Sequence, residues 1–462
     1  MSDTGIPTGR YRRLAKVGQA AATSAVKQAG TKTANVGRSQ EKANAALEKR
    51  HIETAERIVE VLGTMKGAAM KLGQVMSILD VGLVPEEYRE EFQLKLAKLR
   101  DAAPTVAFGE MRKVIEDDLG ESLSDAFAEF DEEAIAAASI GQVYRARLHD
   151  DREVAVKVQY PGVNAAVRAD MQNLGVLLRL VKGLTPQLDT KAVGAEIRDR
   201  IVDELDYELE ASNQRMLARI YRNHPFIHVP KVVTSMSRER VIVTEFVEGV
   251  GFDELTLEPE EERNRIGEIM FRFYFGCLYR HRRFSGDPHP GNMMRLADGR
   301  IAFLDFGLFK TLDAEPVELE LACQRAVVEG DAAELHRLLG VNGFLPEPDK
   351  IAPDILFAYV EDTIGWYTVV DEPLLLTPEL AGEVALEGAD PRSSHYKAMR
   401  HQDINPEHLI GRRMELLTLA VLGQLGAAAN WHRIAREWIY GDAPVTDLGR
   451  QEAEFLASGP AV

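Results

Sequence analysis

The chain has 462 residues, too many for one small hydrophobic core, so we expect two or three lobes or subdomains. Its apolar fraction of 45% and charged fraction of 28% are ordinary for a globular protein, and its net charge of −18 argues against nucleic-acid binding as the main role. The two cysteines, Cys277 and Cys323, indicate neither a disulfide framework nor a zinc site. The sequence shows no signal segment and no apolar run long enough for a membrane span, so we expect a cytoplasmic protein.

The charge is unevenly distributed along the chain. Residues 1–50 carry ten Lys/Arg and three Asp/Glu, a local charge of +7, so the remaining 412 residues sum to −25. A basic leader on an acidic body is compatible with peripheral docking on an anionic membrane surface. A solvated flexible tail has the same composition, so both interpretations stay open.

The first strong periodicity predicts an amphipathic helix over about residues 58–79, because apolar side chains recur every three or four residues. Gly82 and Pro85 end it. Lys71 and Gln74 are three residues apart and therefore lie on one side of this helix. Two more helices are predicted over 86–98 and 108–119.

Residues 131–248 change character. Alternating side chains at 143–148 and 154–159 predict a β-hairpin, closed by the polar turn 149–152. The pattern predicts helix throughout 161–220, and two further strands at 229–233 and 241–246.

A long helix is predicted from Glu260 to Arg283, and only helices after Phe309, interrupted at 343–353 and 388–408. We therefore divide the chain into a basic flexible leader (1–50), a helical extension (51–130), an N-lobe with a helical insertion (131–248), a C-lobe core (249–345) and a helical C-terminal region (346–462).

The strongest chemical signal follows the long predicted helix. Asp287, then Asn292 five residues later, then Asp305 at the start of Asp-Phe-Gly, is the order and spacing of a protein-kinase catalytic centre. In that pattern the first Asp accepts the proton of the acceptor, while the Asn and the second Asp hold Mg²⁺, which prefers oxygen ligands. His289 replaces the usual lysine two residues after Asp287. It either stabilises the transferred phosphate or is a structural turn residue, and the sequence favours neither.

A nucleotide loop is predicted just before the hairpin. The run Ala136-Ala137-Ala138-Ser139-Ile140-Gly141-Gln142-Val143 aligns with the kinase loop G-x-G-x-x-G-x-V, with alanines in place of the first two glycines. Fourteen residues after Val143, Lys157 matches the strand lysine that orients the α- and β-phosphates. For its ion-pair partner we favour Glu210, which shares a predicted helix face with Asp206; Glu204 is the alternative.

Four of these features together resemble the UbiB/AarF family of atypical kinases, over roughly residues 60–310. They are Lys71-Leu-Gly-Gln74 (the family's KxGQ signature), the alanine-rich loop, Glu204-x-Asp206 (its ExD motif) and the run from Asp287 to Asp305.

The resemblance implies an α+β, atypical protein-kinase-like bilobal fold with an N-terminal helical extension packed over the cleft. Lys71 and Gln74 would then reach Glu204 and Asp206 as a regulatory contact and occupy the groove of a peptide substrate. No Ala-Pro-Glu follows Asp-Phe-Gly, which also argues against a peptide substrate.

The leading functional prediction is therefore an ATP-binding enzyme with Mg²⁺-dependent ATPase or small-molecule kinase activity. The resemblance implies a role in isoprenoid quinone or lipid biosynthesis, with a quinone precursor as a candidate partner. By position alone, Glu245 and Val247 in the hinge 244–247 would contact the adenine. The alternatives are a phosphotransferase of the aminoglycoside or choline kinase type, and a nucleotide-gated scaffold with little catalysis.

Overall fold

The computed structural model describes residues 106–386 and 406–459, apart from 139, 172, 173, 176, 177, 179–193, 196, 197, 199, 200, 204 and 346. The predicted leader, the helix of Lys71 and Gln74, and residues Ser139 and Glu204 lie outside the described residues. By its internal contacts the chain divides into two compact units. Of the described residues, the first unit takes those in 106–152, 156–206 and 238–241, and the second takes those in 153–155, 207–237 and 242–459.

The helices are α1 (Phe108–Leu119), α2 (Leu123–Ala126), α3 (Val163–Met171), α4 (Tyr207–Ile220), α5 (Phe252–Leu255), α6 (Glu260–His281), α7 (Ala314–Val328), α8 (Ala332–Val341), α9 (Pro353–Thr368), α10 (Pro378–Leu386), α11 (Pro406–Leu425), α12 (Trp431–Ile439) and α13 (Asp447–Ser458). The strands are β1 (Glu129–Phe130), β2 (Ala136–Ala138), β3 (Gly141–Arg147), β4 (Glu153–Gln159), β5 (Ile227–His228), β6 (Val241–Glu245), β7 (Val250–Gly251), β8 (Arg283–Ser285), β9 (Met293–Arg295), β10 (Ile301–Phe303), β11 (Phe309–Thr311), β12 (Leu374–Leu375) and β13 (Ala428–Ala429).

A five-stranded sheet contains the predicted hairpin. Its order is β1-β3-β4-β6, and β2 also pairs with β3. Buried and half-buried side chains alternate along β3, as the period-2 pattern of a strand with one covered face requires. The alanine-rich run is itself strand β2, antiparallel to β3 with Ala136 opposite Val143 and Ala138 opposite Gly141. The three alanines therefore belong to a strand that pairs with β3.

Two predictions between the hairpin and the long helix are wrong in detail. Helix does not continue through 161–220, because Leu205 lies in a turn and α4 begins only at Tyr207. The strand predicted at 229–233 lies earlier, at Ile227–His228, where it pairs in parallel with β10. Of the predicted range only Val232 forms a bridge, to Thr244. A Pro at position 230 cannot donate to a strand ladder, which explains the shift.

Helix α6 is the centre of the second unit. It is buried continuously from Ile266 to Tyr279, and the buried residues include two charged ones, Glu268 and Arg272. It ends two residues before the predicted Arg283, since Arg282 adopts a left-handed conformation at φ 55° and closes the helix.

An aromatic cluster packs on one stretch of α6. Phe271 lies 5.3 to 5.6 Å, centroid to centroid, from all three tryptophans of the chain, Trp366, Trp431 and Trp438. One hydrophobic core cluster includes described residues between Leu217 and Leu448, Phe271 and the three tryptophans among them. Helices from 314 onward therefore share their core with α6.

The segment after Phe309 is mostly helical, as predicted, but it also contains β11 and the small ladder of β12 with β13. These strands are two or three residues long, too short for a sequence pattern to indicate. Among the described residues, no helix is long and apolar enough to cross a membrane.

Candidate active site

Two short ladders of the second unit hold the predicted catalytic segment. Strand β8, which precedes Asp287, pairs with β11 so that Ser285 lies opposite Phe309. Strands β9 and β10 pair with Met293 opposite Phe303. Because Asn292 directly precedes β9 and Asp305 follows β10 by two residues, this second ladder brings both ends of the motif to one edge of the sheet. The main-chain N–H of Leu304 donates to the carbonyl of Asn292 at 2.9 Å.

The side chains of Asn292 and Asp305 are oriented by hydrogen bonds to the main chain. The Asn292 amide nitrogen donates to the carbonyl of Asp287 at 3.4 Å, so its carbonyl oxygen is turned the other way. Asp305 Oδ1 accepts from the N–H of Gly307 at 2.9 Å. An amide oxygen and a carboxylate held in this way are suitable ligands for a hard cation.

Glu210 lies beside Asp-Phe-Gly within the second unit. It is 4% exposed on α4. A Cβ built on Gly307 would lie 3.4 Å from both Glu210 Oε2 and Asp305 Oδ1, so the two carboxyl groups approach the same glycine. Asp206, predicted on the same helix face, precedes the first residue of α4 and is not part of that helix.

His289 has a defined turn contact. Its Nδ1 accepts from the N–H of Gly291 at 3.0 Å and caps the short 3₁₀ turn Pro290–Asn292. A neutral imidazole that accepts at Nδ1 carries its proton on Nε2. The structure therefore gives His289 the turn role and, at the same time, a tautomer whose Nε2–H can donate to an anion.

Tyr274 is a residue that the sequence reasoning missed. It is 2% exposed on α6, with its ring edge-on to Phe303 at 5.6 Å. Burial raises the pKa of its phenol, and the charges of Asp287 and Asp305 raise it further. The phenol therefore stays protonated near the two aspartates. Its only sequence signal is a position thirteen residues before Asp287 on a buried helix.

The two predicted hinge residues, Glu245 and Val247, differ in their contacts. Glu245 Oε1 lies 3.4 Å from His228 Nε2, and Oε2 accepts from the N–H of Lys231. The His228 contact is the main cause that lowers the pKa of Glu245. The Glu245 side chain thus serves the local structure. Among the described residues, no partner is found for the N–H or carbonyl of Val247, which keeps both groups available to a ligand.

The first unit carries the predicted phosphate residues. Lys157 is half-buried on β4 between Val156 and Val158, both fully buried. Gly141 lies so close to this strand that a Cβ would be 2.1 Å from the carbonyl oxygen of Val158. Glycine is therefore required here by the approach of two strands. The backbone of Gly141 does not have a positive φ.

A metal ion would need ligands beyond the protein. The described residues contain no group of three or more His, Cys, Asp or Glu placed to hold a metal. Magnesium in phosphoryl-transfer sites is usually bound by one or two protein groups together with phosphate oxygens. Asn292 and Asp305 fit that donor set.

A separate surface cavity of about 790 Å³ lies in the second unit. It is lined by Glu248, Gly249, Val250, Glu258, Pro259, Glu261, Glu262, Arg265, Arg295, Leu296, Ala297 and Gly299. None of the predicted catalytic residues lines it. Four glutamates and two arginines give the lining a net charge of −2, and Arg295 is paired with Glu258 and Glu262.

Two features are typical of a protein-kinase-like protein: the strand hairpin that carries Lys157, and the order of Asp287, Asn292 and Asp305 along the chain. The family described as ABC1 atypical kinase-like domain matches residues 98–339, more than half of the chain. The chain belongs to this family, the UbiB/AarF atypical kinases.

Individual relatives agree with this assignment. The atypical kinase COQ8B, mitochondrial, of Rattus norvegicus is 33% identical over 60% of this chain and 52% of its own. The atypical kinase coq-8, mitochondrial, of Caenorhabditis elegans is 30% identical over 74% of this chain and 46% of its own. The chain thus spans about half the length of the curated relatives that it matches.

A solved structure covers more of the chain. The complex of Rv3197 with erythromycin from Mycobacterium tuberculosis has a TM-score of 0.58 and 29% identity. It covers 87% of this chain and 99% of that one. The α+β kinase-like fold predicted from the sequence is confirmed.

Proposed function

We propose that the protein is an ATP-dependent atypical kinase-like enzyme with Mg²⁺-dependent ATPase or small-molecule kinase activity. The observation that carries the proposal is that hydrogen bonds to the main chain orient the side chains of Asn292 and Asp305 at one edge of the sheet. Family membership supports the reaction class. Phosphoryl transfer needs positioning and charge stabilisation more than covalent chemistry, and these residues supply both.

Each site residue has a proposed role. Asn292 and Asp305 hold Mg²⁺, and Asp287 accepts the proton of the acceptor or orients a water molecule. Lys157 and Glu210, with Glu204 as the alternative glutamate, orient the nucleotide. The main chain of Val247 receives the adenine. Bound Mg²⁺ would neutralise the charge that develops on the transferred phosphoryl group.

The acceptor is proposed from the family resemblance. It implies an isoprenoid lipid or quinone precursor, with Lys71 and Gln74 acting on Glu204 and Asp206 to exclude peptide substrates. We propose a cytoplasmic protein with peripheral membrane contact; both cysteines are buried and free, as in a reducing compartment.

The first test is ATP hydrolysis by the purified protein, with and without anionic vesicles and a phenolic quinone-precursor analogue. Asp305→Asn should abolish Mg²⁺-dependent turnover, because it removes the carboxylate charge with almost no change of shape. Asp298→Asn is a matched control on an exposed turn and should turn over like the wild type. Nucleotide binding without turnover in the wild type would instead favour the scaffold.

A second candidate function concerns the acidic cavity. Its volume lies within the usual range of about 300–1,000 Å³ for small-molecule sites. The relative from M. tuberculosis was solved in complex with erythromycin, and the cavity is lined by four glutamates against two arginines. We therefore propose that the cavity takes a bulky cationic ligand.

Equilibrium dialysis with erythromycin tests this second function. Glu261→Lys at the cavity should weaken binding, and the weakening should depend on salt. Glu454→Lys on the exposed side of α13 should not. Equal affinity in the two variants would remove the cavity as the site.

A further inference from the structure

A group of buried charges joins the last described helix, α13, to α6. Most of α13 is exposed, but Glu452 is 4% exposed and faces Arg272, which is fully buried. The group, called here the Arg272 cluster, contains Arg272, Arg280, Glu268, Glu437 and Glu452. None of its members has a role in the proposed reaction.

The guanidinium of Arg272 is fully engaged. Its Nε donates to Glu268 at 2.7 Å, and its Nη1 donates to Glu437 and Glu452, each at 2.8 Å. Its Nη2 donates to Glu437 at 2.6 Å and to Thr446 at 3.0 Å. Such a rigid, planar fork fixes the positions of its partners in a way that a flexible cation does not.

Glu452 serves a second arginine as well. Arg280 Nη1, in the last turn of α6, lies 2.6 Å from Glu452 Oε2. Although burial opposes its ionisation, the charges of Arg280 and Arg272 hold the pKa of Glu452 below its ordinary value. One carboxylate of α13 is therefore bound to two successive points on α6.

The fit between α13 and the cluster is also steric. A Cβ on Gly449 would lie 2.5 Å from Arg272 Nη2 and 2.8 Å from Glu437 Oε1. A side chain at this position in the first turn of α13 would collide with the cluster, which explains the glycine.

The same face of α13 contacts the chain that follows α4. The ring of Phe455 lies 4.6 Å from that of His224, and His224 Nε2 is 4.0 Å from Glu452 Oε1. Tyr221, directly after α4, packs on Phe273 of α6 at 5.7 Å. Helix α13 thus contacts both α6, which leads into Asp287, and the segment that follows α4, the helix of Glu210.

We propose that Glu452 is a positioning residue, through which α13 holds the end of α6 and the end of α4 in the arrangement that places Asp287 and Glu210. This inference rests on the proposed function for its catalytic consequence, but its structural consequence can be measured without turnover. Buried ionic groups often stabilise no better than apolar ones of equal volume, whereas they can fix one geometry.

Two variants of α13 test the proposal by different physical routes. Glu452→Gln removes the charge at constant shape, and Gly449→Ala displaces the helix at constant charge. Glu454→Gln, on the exposed side of the same helix, is the matched control. Each protein is compared for kcat and KM in ATP turnover, for nucleotide affinity, and for hydrogen–deuterium exchange.

Both variants should lower kcat by about 10- to 100-fold, because small misplacements of catalytic groups have effects of that size, while nucleotide affinity changes little. Exchange should rise in Tyr207–Ile220 and in 283–292 as well as in α13, and the control should match the wild type. Exchange that rises only in α13, or equally over the whole second unit, would overturn the proposal, as would unchanged kcat with α13 loosened. If the wild type shows no turnover, the proposed function fails while the exchange pattern still decides this inference.

Discussion

His289 combines a local structural contact with a chemically useful tautomer. Its Nδ1 caps the turn that contains Asn292, while Nε2 carries the proton of the neutral ring. The two interpretations left open by the sequence are therefore compatible with one side chain. The capping role and the phosphate-stabilising role can still be tested separately, because a shorter side chain can accept the same cap hydrogen bond but cannot extend to the position of Nε2.

We predict different results for His289→Asn and His289→Ala. Asparagine can accept from the N–H of Gly291, as it does in other caps, so His289→Asn should keep the stability of the wild type. Alanine should cost about 1 kcal/mol. Urea unfolding measures this difference. If Nε2–H stabilises the phosphate, both variants lose turnover; if the residue only caps, turnover follows stability and His289→Asn stays active.

Gly141 is a second residue whose requirement is steric. Gly141→Ala places a methyl group against the Val158 carbonyl and should destabilise the protein by about 1–3 kcal/mol, the usual cost of overpacking. Gly109→Ala in α1, where nothing lies within 4 Å of the new Cβ, should be neutral or stabilising. Hydrogen exchange in β3 and β4 is the measurement, and equal protection in the two variants would contradict this reading.

Spacing along the chain predicts Asp287, Asn292, Asp305 and Lys157 as site residues, because the chemistry fixes both residue types and their order. Their roles remain predictions. The position of Tyr274 near the two aspartates could not be predicted, since it depends on the rotation of a helix that is buried on every side. The same holds for the approach of Glu210 to Gly307, which joins elements nearly one hundred residues apart.

Among the elements, those with strong periodicity were predicted best. Helix α6 and the β3–β4 hairpin were found almost to the residue, as long amphipathic or apolar patterns allow. The strand at 227–228 was misplaced, and β12 and β13 were missed. These pieces are too short to have a pattern of their own and are set by the elements beside them.

Removing the central arginine of α6 should lower the stability of the protein. Arg272→Met leaves three buried carboxylates without their main partner and should lower the free energy of unfolding by about 3–5 kcal/mol. Arg337→Met removes an exposed pair with Glu334 on α8 and should have no measurable effect. Chemical denaturation checks both. Equal midpoints would show that the Arg272 cluster is not needed for the fold.

The buried imidazole of His224 should make the whole protein less stable in acid. Burial lowers the pKa of His224 from 6.5 to about 4, with Glu452 opposing and Arg280 and Arg272 adding to the effect. In the unfolded chain His224 therefore binds a proton below about pH 6.5, whereas in the folded protein it does so only below about pH 4. Stability should fall by up to about 3 kcal/mol as the pH drops through this window.

Thermal unfolding between pH 7 and pH 4 measures this loss. His224→Asn keeps an acceptor for the N–H of Ile227 but cannot titrate, so its melting temperature should vary less with pH. His149→Gln changes an exposed imidazole and should preserve the wild-type slope. A slope that His224→Asn leaves unaltered would assign the acid sensitivity to other groups; burial likewise lowers the pKa of His281, and the pKa of Glu452 is also low.

The aromatic cluster on α6 has a spectroscopic consequence. Because all three tryptophans contact Phe271, every indole chromophore of the chain belongs to the second unit, and the first unit contributes none. Intrinsic emission thus observes one unit selectively. The guanidinium of Arg280 lies 5.8 Å from the Trp438 ring, so a change at the Arg272 cluster should alter the emission of that indole. A tryptophan introduced into β3 would allow the unfolding of the first unit to be followed by fluorescence as well.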